Sequence, residues 1–314
     1  MLPTESGAFT TFVEPPDPAR EAWLKDRLTG LGASDAAAVF GVSPYKSPLA
    51  LYYEKRGEID MPVAEREALY WGRILQGPIA VRYGHETGRT VLETPPFELR
   101  RHATHPHMIA TLDALATATP TSKFPPAGGP GGVEIKNAGF FKREDWRDEP
   151  PLPFQIQAQH QMFVTGAQWG SIAALVGGVE FFWTDIQRNN GFIEVLVRQC
   201  GEFWARVTSG TPPEPDASDS TRLLLKQLYP KDTGEIITLG PEYSELDEKL
   251  QQVKKAAEKL SVDRALLENK LRLAIGPATA ATLDNGSVYT FKHQKRREFV
   301  MPETEFRVLR RKGE

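Results

Sequence analysis

The order in which the hydrophobic period changes along the first 210 residues constrains this chain more than any single motif. Apolar residues recur at helical spacing from about Ala19 to Thr87, then give way to short β-like pieces, RTVLETPPFEL, HMIATLDALAT and GGVEIKNA. PFQIQAQHQMFVTG returns to helical spacing, WGSIAALVGG and VEFFWTDIQ read as two consecutive strands, and IEVLVRQCGEFWARV reads as a helix. Helices, strands, a helix, two strands and a helix describe an α/β or α+β sheet flanked by helices. Local signals sharpen the boundaries. Ser34 or Asp35 can cap a helix holding Ala36–Phe40, and Pro48 can open one holding Leu49–Lys55. Gly88 ends a long helix that begins near Glu65.

Four regions follow. Residues 1–20, rich in proline and small polar residues, read as an N-terminal arm, and 21–210 as the main domain. The Pro/acidic stretch TPPEPDASDS opens a linker assigned to 211–240. In 241–314, apolar residues from Leu246 to Ala274 step by threes and fours, as in one long amphipathic helix or a helical hairpin broken near Ser261. Asp284-Asn285-Gly286 signals a β-hairpin beyond it. An ordinary packed helix covering the core is the expectation for this extension.

Composition excludes several classes. No run of roughly 18 apolar residues appears, so no membrane span is expected, and the N-terminus lacks the pattern of a signal peptide. Cytoplasmic residence is the expectation. One cysteine, Cys200, permits neither an intrachain disulfide nor a Cys-rich zinc site, and its helical apolar setting reads as a buried structural thiol. The net charge of −3 argues against non-specific coating of nucleic acid. Charge is uneven, however: Pro213–Lys249 holds nine acidic and four basic residues, Tyr289–Glu314 eight basic and four acidic. The His102, His105 and His107 cluster contains a proline and no paired ligand motif, which favours a loop over a zinc site.

The residues that carry chemistry are Asp113 on one strand and Glu134-Ile135-Lys136 on the next. Alternation puts Glu134 and Lys136 on one face and Ile135 on the other. Phosphodiester hydrolysis needs a hard cation that polarises the phosphate and activates water, and Mg²⁺ needs only a few protein oxygens because it keeps several waters. Two carboxylates and the Ile135 carbonyl meet that need, and Lys136 can orient the water or stabilise developing negative charge. By itself the pattern is weak, since many solvated strand faces carry such residues.

Its setting adds specificity. TLDAL, VEIKNA and PFQIQAQHQMFVTG resemble the core of the YqaJ/lambda-exonuclease family of PD-(D/E)XK nucleases. GLGASDAAAVFGVSPYKSPLALYYEKRGEI, WGRILQGPIAVRYGHETG and GFIEVLVRQCGEFW are similar to other motifs of that family, in the same order, from about Trp23 to Val207. The resemblance implies a restriction-endonuclease-like core with a central mixed sheet. It implies Asp113 and Glu134 as metal ligands, Lys136 as the catalytic lysine and Gln157 as a glutamine ordering the site, with Gln159 a companion. It implies that Arg27 and Ser34 hold the substrate's terminal 5′-phosphate. Mg²⁺, for which Mn²⁺ can substitute, is implied at two ions per site.

The activity implied is a phage-type 5′-to-3′ exonuclease acting on ends of linear double-stranded DNA. Its 3′ single strands would feed a single-strand annealing protein, and a ring-shaped homotrimer in a bacterial host is implied with it. Two positions depart from the family pattern. Gln76 stands where glutamate is usual and would bind metal only through its neutral carbonyl, and Ala114 follows Asp113 in place of glycine. Gln76 motivates a rival expectation, a DNA-end-binding recombination factor with weakened catalysis. A second rival is an endonuclease or single-strand nuclease using the same site.

Overall fold

The computed structural model describes residues 18–59, 67–117, 129–295, 303 and 307–311. Residues 1–17 of the expected arm and the Gly/Pro-rich segment 118–128 lie outside them. The described chain forms two compact units, Met1–Tyr229 and Pro230–Glu314.

Unit 1 begins with helices α1 (Pro18–Arg27), α2 (Ala33–Val39), α3 (Pro48–Lys55) and α4 (Glu67–Thr87). Strands β1 (Val91–Glu93), β2 (Arg100–Arg101), β3 (Ile109–Ala110), β4 (Ala114–Ala116) and β5 (Gly131–Ala138) follow. A 3-10 segment (Phe140–Trp146) leads to α5 (Leu152–Thr165), β6 (Trp169–Val176), β7 (Glu180–Gln187), α6 (Asn190–Ser209) and α7 (Asp219–Leu228). Five strands form a mixed sheet in the order β1-β4-β5-β6-β7, parallel only between β5 and β6. The parallel pair needs a crossover, and α5 supplies it. This is the mixed α/β architecture that the order of periods predicts.

The sheet is covered on both faces. Val133, Ile135 and Ala173 pack with Ile79 and Tyr83 of α4 on one side, and Ile172, Ala174 and Val176 pack with Ala158 and Met162 of α5 on the other. Arg89, just past α4, is bidentate to Asp185 of β7 at 2.6 and 2.7 Å and also reaches Tyr83 and Ser171, locking helix to sheet. Gly131 is required on β5: a Cβ there would stand 2.5–2.7 Å from three ring atoms of the buried Trp169.

Two boundaries differ from expectation. α2 starts at Ala33 with Gly32 as its N-cap, so Ser34 lies inside the helix, while Asp35 closes the cap by accepting the Gly32 N–H at 2.9 Å. The stretch expected to be linker contains α7, which belongs to unit 1. Ser218 caps it, Leu224 is buried, and Thr221 donates to Ser47 of α3 at 2.9 Å. The acidic, proline-rich flank obscured a short amphipathic helix whose apolar side has a partner.

Unit 2 contains α8 (Pro241–Ile275) and a hairpin of β8 (Ala280–Thr282) with β9 (Val288–Thr290). The helix runs unbroken through Ser261, and Leu246, Leu250, Val253, Leu260 and Leu267 remain exposed. No helix among the described residues is long and apolar enough to cross a membrane.

Candidate active site

β4 and β5 are antiparallel with Ala114 opposite Val133. Extending that register by one residue sets Asp113 opposite Glu134, on the face away from the Ala114–Val133 side chains. β4 begins at Ala114, so among the described residues the β5 main chain beyond Val133 has no strand neighbour on that side. Asp113 takes this place: its Oδ2 accepts the Ile135 N–H at 2.8 Å. In a strand the N–H and C=O of one residue point the same way, so the Ile135 carbonyl opens towards Asp113.

Helix α5 crosses below this face. Gln157 donates to Glu134 Oε1 at 2.6 Å and Gln161, one turn later, to Oε2 at 2.6 Å. Lys136 Nζ is ion-paired with Glu134 and lies 4.9 Å from the Phe154 ring centroid. Burial and the facing Glu134 carboxylate push the Asp113 carboxyl up to about 7, against the opposing pull of Lys136 and the Ile135 amide. Burial alone would lower the Lys136 ammonium, but Glu134 and Asp113 outweigh it and raise the value. The buried Glu134 and the half-buried Asp113 face one ammonium, and the raised Asp113 value marks mutual carboxylate repulsion that a bound cation would relieve.

Beside it lies a cationic cluster built on α1–α3. Arg27 donates to Ser34 Oγ at 3.1 Å and stands 3.8 Å from Asp35. Asp35, fully buried, pairs with Lys55 at 2.7 Å, and Lys46 bridges Asp35 and Glu54. Lys55 also donates to the Arg27 carbonyl at 2.8 Å. Three cations surround two carboxylates around Ser34, leaving net positive charge for an anion. Trp23 Nε1 donates to Thr111 two residues before Asp113, and Leu31 exchanges main-chain hydrogen bonds with His107 and Ile109. The cluster is thereby tied to the segment that delivers Asp113. Tyr45 is 80% exposed on the connecting turn, and its phenol lies within electrostatic reach of Lys136.

Residues 22–168 match the family described as the YqaJ-like viral recombinase domain. The uncharacterized protein YqaJ of Bacillus subtilis (strain 168) is 26% identical over 259 residues, covering 81% of this chain and 77% of that protein. The crystal structure of an alkaline exonuclease from Laribacter hongkongensis is 22% identical, with a TM-score of 0.46 over 61% of this chain and 94% of that one. A phage-related exonuclease from Haemophilus somnus 129PT is 12% identical, with a TM-score of 0.38 over 58% and 96%.

The matched segment runs from within α1 to just past α5 and so includes every residue of both clusters. Gln76 on α4 reaches the site, but its amide nitrogen donates to the Asp113 main-chain carbonyl at 3.2 Å, where it braces the start of β4. Gln159 does not share the site. Its Nε2 donates to the Gln187 carbonyl at 2.8 Å and its Oε1 accepts the Asn189 N–H at 3.0 Å, so it pins the β7–α6 turn on another side of the helix. Residues two apart on a helix do not face the same way, and the residue four on from Gln157, Gln161, is the one that does.

His102 stacks on Phe163 at 4.0 Å and His107 faces Trp204 at 6.4 Å, in the loop between β2 and β3. Among the described residues no three His, Cys, Asp or Glu side chains converge as a metal-binding group. Cys200 is buried on α6, and burial pushes its thiol up to about 12.

Proposed function

We propose that this protein is a Mg²⁺-dependent 5′-to-3′ exonuclease of the PD-(D/E)XK type, acting on ends of linear double-stranded DNA and leaving 3′ single strands for strand annealing. The observation that carries the reading is the convergence of Asp113, Glu134 and Lys136 on adjacent strands, with a separate anion cluster at Arg27 and Ser34. One cluster suits a scissile phosphate and the other a terminal one.

The donor set fits a hard cation. Asp113 and Glu134 supply carboxylate oxygens and Ile135 a carbonyl, which suffices for an ion that keeps several waters. Bound there, Mg²⁺ supplies Lewis-acid polarisation of the phosphate and lowers the pKa of an attacking water. A second ion, as the family resemblance implies, would lean chiefly on substrate phosphate. Lys136, held by Glu134, orients the nucleophile and offsets charge developing on the phosphate oxygens. Gln157 holds the Glu134 carboxylate in place, while Arg27 and Ser34 fix the 5′-phosphate and so set the distance from the end to the cut bond. Lys46 shares that duty as a third cation facing Asp35.

Strand polarity tests the reading. A linear duplex labelled separately at its 5′ and 3′ ends, and a closed circle of the same DNA, are incubated with enzyme and Mg²⁺. Prompt release of 5′ label as mononucleotide, with the circle intact, is expected. Cleavage of the circle supports an endonuclease and overturns the end-dependent reading, and first release of 3′ label overturns the polarity.

A further inference from the structure

The two oxygens of Glu134 meet different surroundings. Oε1 receives Lys136 and Gln157, both part-exposed. Oε2 receives Gln161, which is 4% exposed and also reaches towards the Thr111 carbonyl at 3.5 Å. Beside Gln161 lies a small void of about 10 Å³ among Leu112, Gly132, Met162 and Thr165. That is the lower limit for a single water, which would also need several polar partners, so the space offers little to replace the amide.

We propose that Gln161 is a positioning residue that pins Glu134 Oε2 from the buried side, so that Oε1 alone is presented to a divalent cation. Gln157 and Gln161 occupy one face of α5, a turn apart, and grip the carboxylate from its open and closed sides. When a cation occupies the open side, Gln157 and Lys136 can yield part of their hold on Oε1. Gln161 is buried and directed to Glu134 from the closed side, so the carboxylate keeps one rotamer through binding and turnover. This role rests on the proposed nuclease reading, in which Glu134 is a metal ligand.

The experiment is a Mn²⁺ titration of the full chain, without DNA, following free Mn²⁺ by electron paramagnetic resonance. Wild type, Gln161→Met, Gln161→Asn and Asp113→Asn are compared, with thermal unfolding of each metal-free protein. Outer partners of metal ligands typically affect affinity by about 10- to 100-fold. Gln161→Met is expected to weaken Mn²⁺ by a factor in that range and to raise the Mg²⁺ needed for half-maximal digestion equally, with KM for duplex ends unchanged. Gln161→Asn keeps the amide one methylene short, and a smaller weakening in the same direction is expected even if the methionine variant folds poorly. A merely structural role would lower the melting temperature and leave the Mn²⁺ Kd alone. Unchanged Kd in a folded variant, while Asp113→Asn loses Mn²⁺, overturns the role of Gln161 alone. Failure of the wild type to bind Mn²⁺ overturns that role and the nuclease reading together.

Discussion

Asp35 sets up the most demanding prediction. Its carboxylate is buried and holds Lys55, whose side chain is 1% exposed, at 2.7 Å, with Lys46 and Arg27 each at 3.8 Å. Burial would raise the carboxyl, but Lys55, Lys46 and Arg27 together hold it well below the usual carboxylate range. Replacing Asp35 by Asn keeps an acceptor for the Gly32 N–H and strips Lys55 of its countercharge. Leaving one member of such a pair buried and unpaired costs about 3–5 kcal/mol. With a urea slope of about 2–3 kcal/mol per M, the midpoint should fall by about 1–2 M. All six tryptophans lie in unit 1, so their fluorescence follows the unfolding of that unit. The double variant Asp35→Asn/Lys55→Met removes both charges and should recover most of the loss. A depressed carboxyl stabilises the fold above its unfolded value and ceases to do so as pH falls through the folded one. The gap between wild type and Asp35→Asn should therefore persist from pH 7 to 4 and narrow only below about 3.8. A single variant within 0.5 kcal/mol of wild type (roughly the scatter of neutral surface changes), or a double variant no better than the single, would refute the argument.

Other predictions concern separate parts of unit 1. Burial lowers His160 from 6.5 to about 4, so the unfolded chain binds the extra proton first and stability falls as pH drops through 6.5. This amounts to about 2 kcal/mol between pH 7.5 and 5, and His160→Gln should flatten that part of a melting-temperature profile; an unchanged slope assigns it elsewhere. Gly131→Ala drives a methyl into Trp169 and should cost about 1–3 kcal/mol with a shift in tryptophan emission; a wild-type melting curve would contradict the close approach. A chain ending at Tyr229 should keep the unit 1 melting transition. One ending at Gly210 loses the burial of Leu224 and the Thr221–Ser47 hydrogen bond, and should be about 2–4 kcal/mol less stable by urea titration.

The parts of the site that were legible in the sequence share a cause: short-range periodicity. Alternation put Glu134 and Lys136 on one face, and the register of β4 against β5 then set Asp113 across from Glu134. Pro48 and Gly88 mark helix ends where expected, and α5 appears where its spacing predicts. Gln161 was within reach of the same argument, because a helix returns to one face after four residues and Gln159 sits on another. Long-range partners were not legible. Asp35 announces a helix cap, but nothing local shows that Arg27 of α1, Lys46 of the turn before α3 and Glu54 and Lys55 of α3 gather around it. α7 was hidden by its prolines and acids, since its apolar side gains meaning only against α3. The exposed apolar stripe of α8 shows the converse, a strong period for which packing is not determined by spacing.

The central claim is that Asp113, Glu134 and Lys136 form a metal-dependent hydrolytic centre. The most direct measurement is nucleotide release from a 5′-phosphorylated linear duplex with Mg²⁺, with excess EDTA as control, comparing wild type with Lys136→Ala. The account predicts release that needs the cation and falls by about 10²–10³ in the variant, whose fold and DNA binding remain intact. Equal, background-level release from both proteins, at saturating Mg²⁺ and DNA, would contradict it.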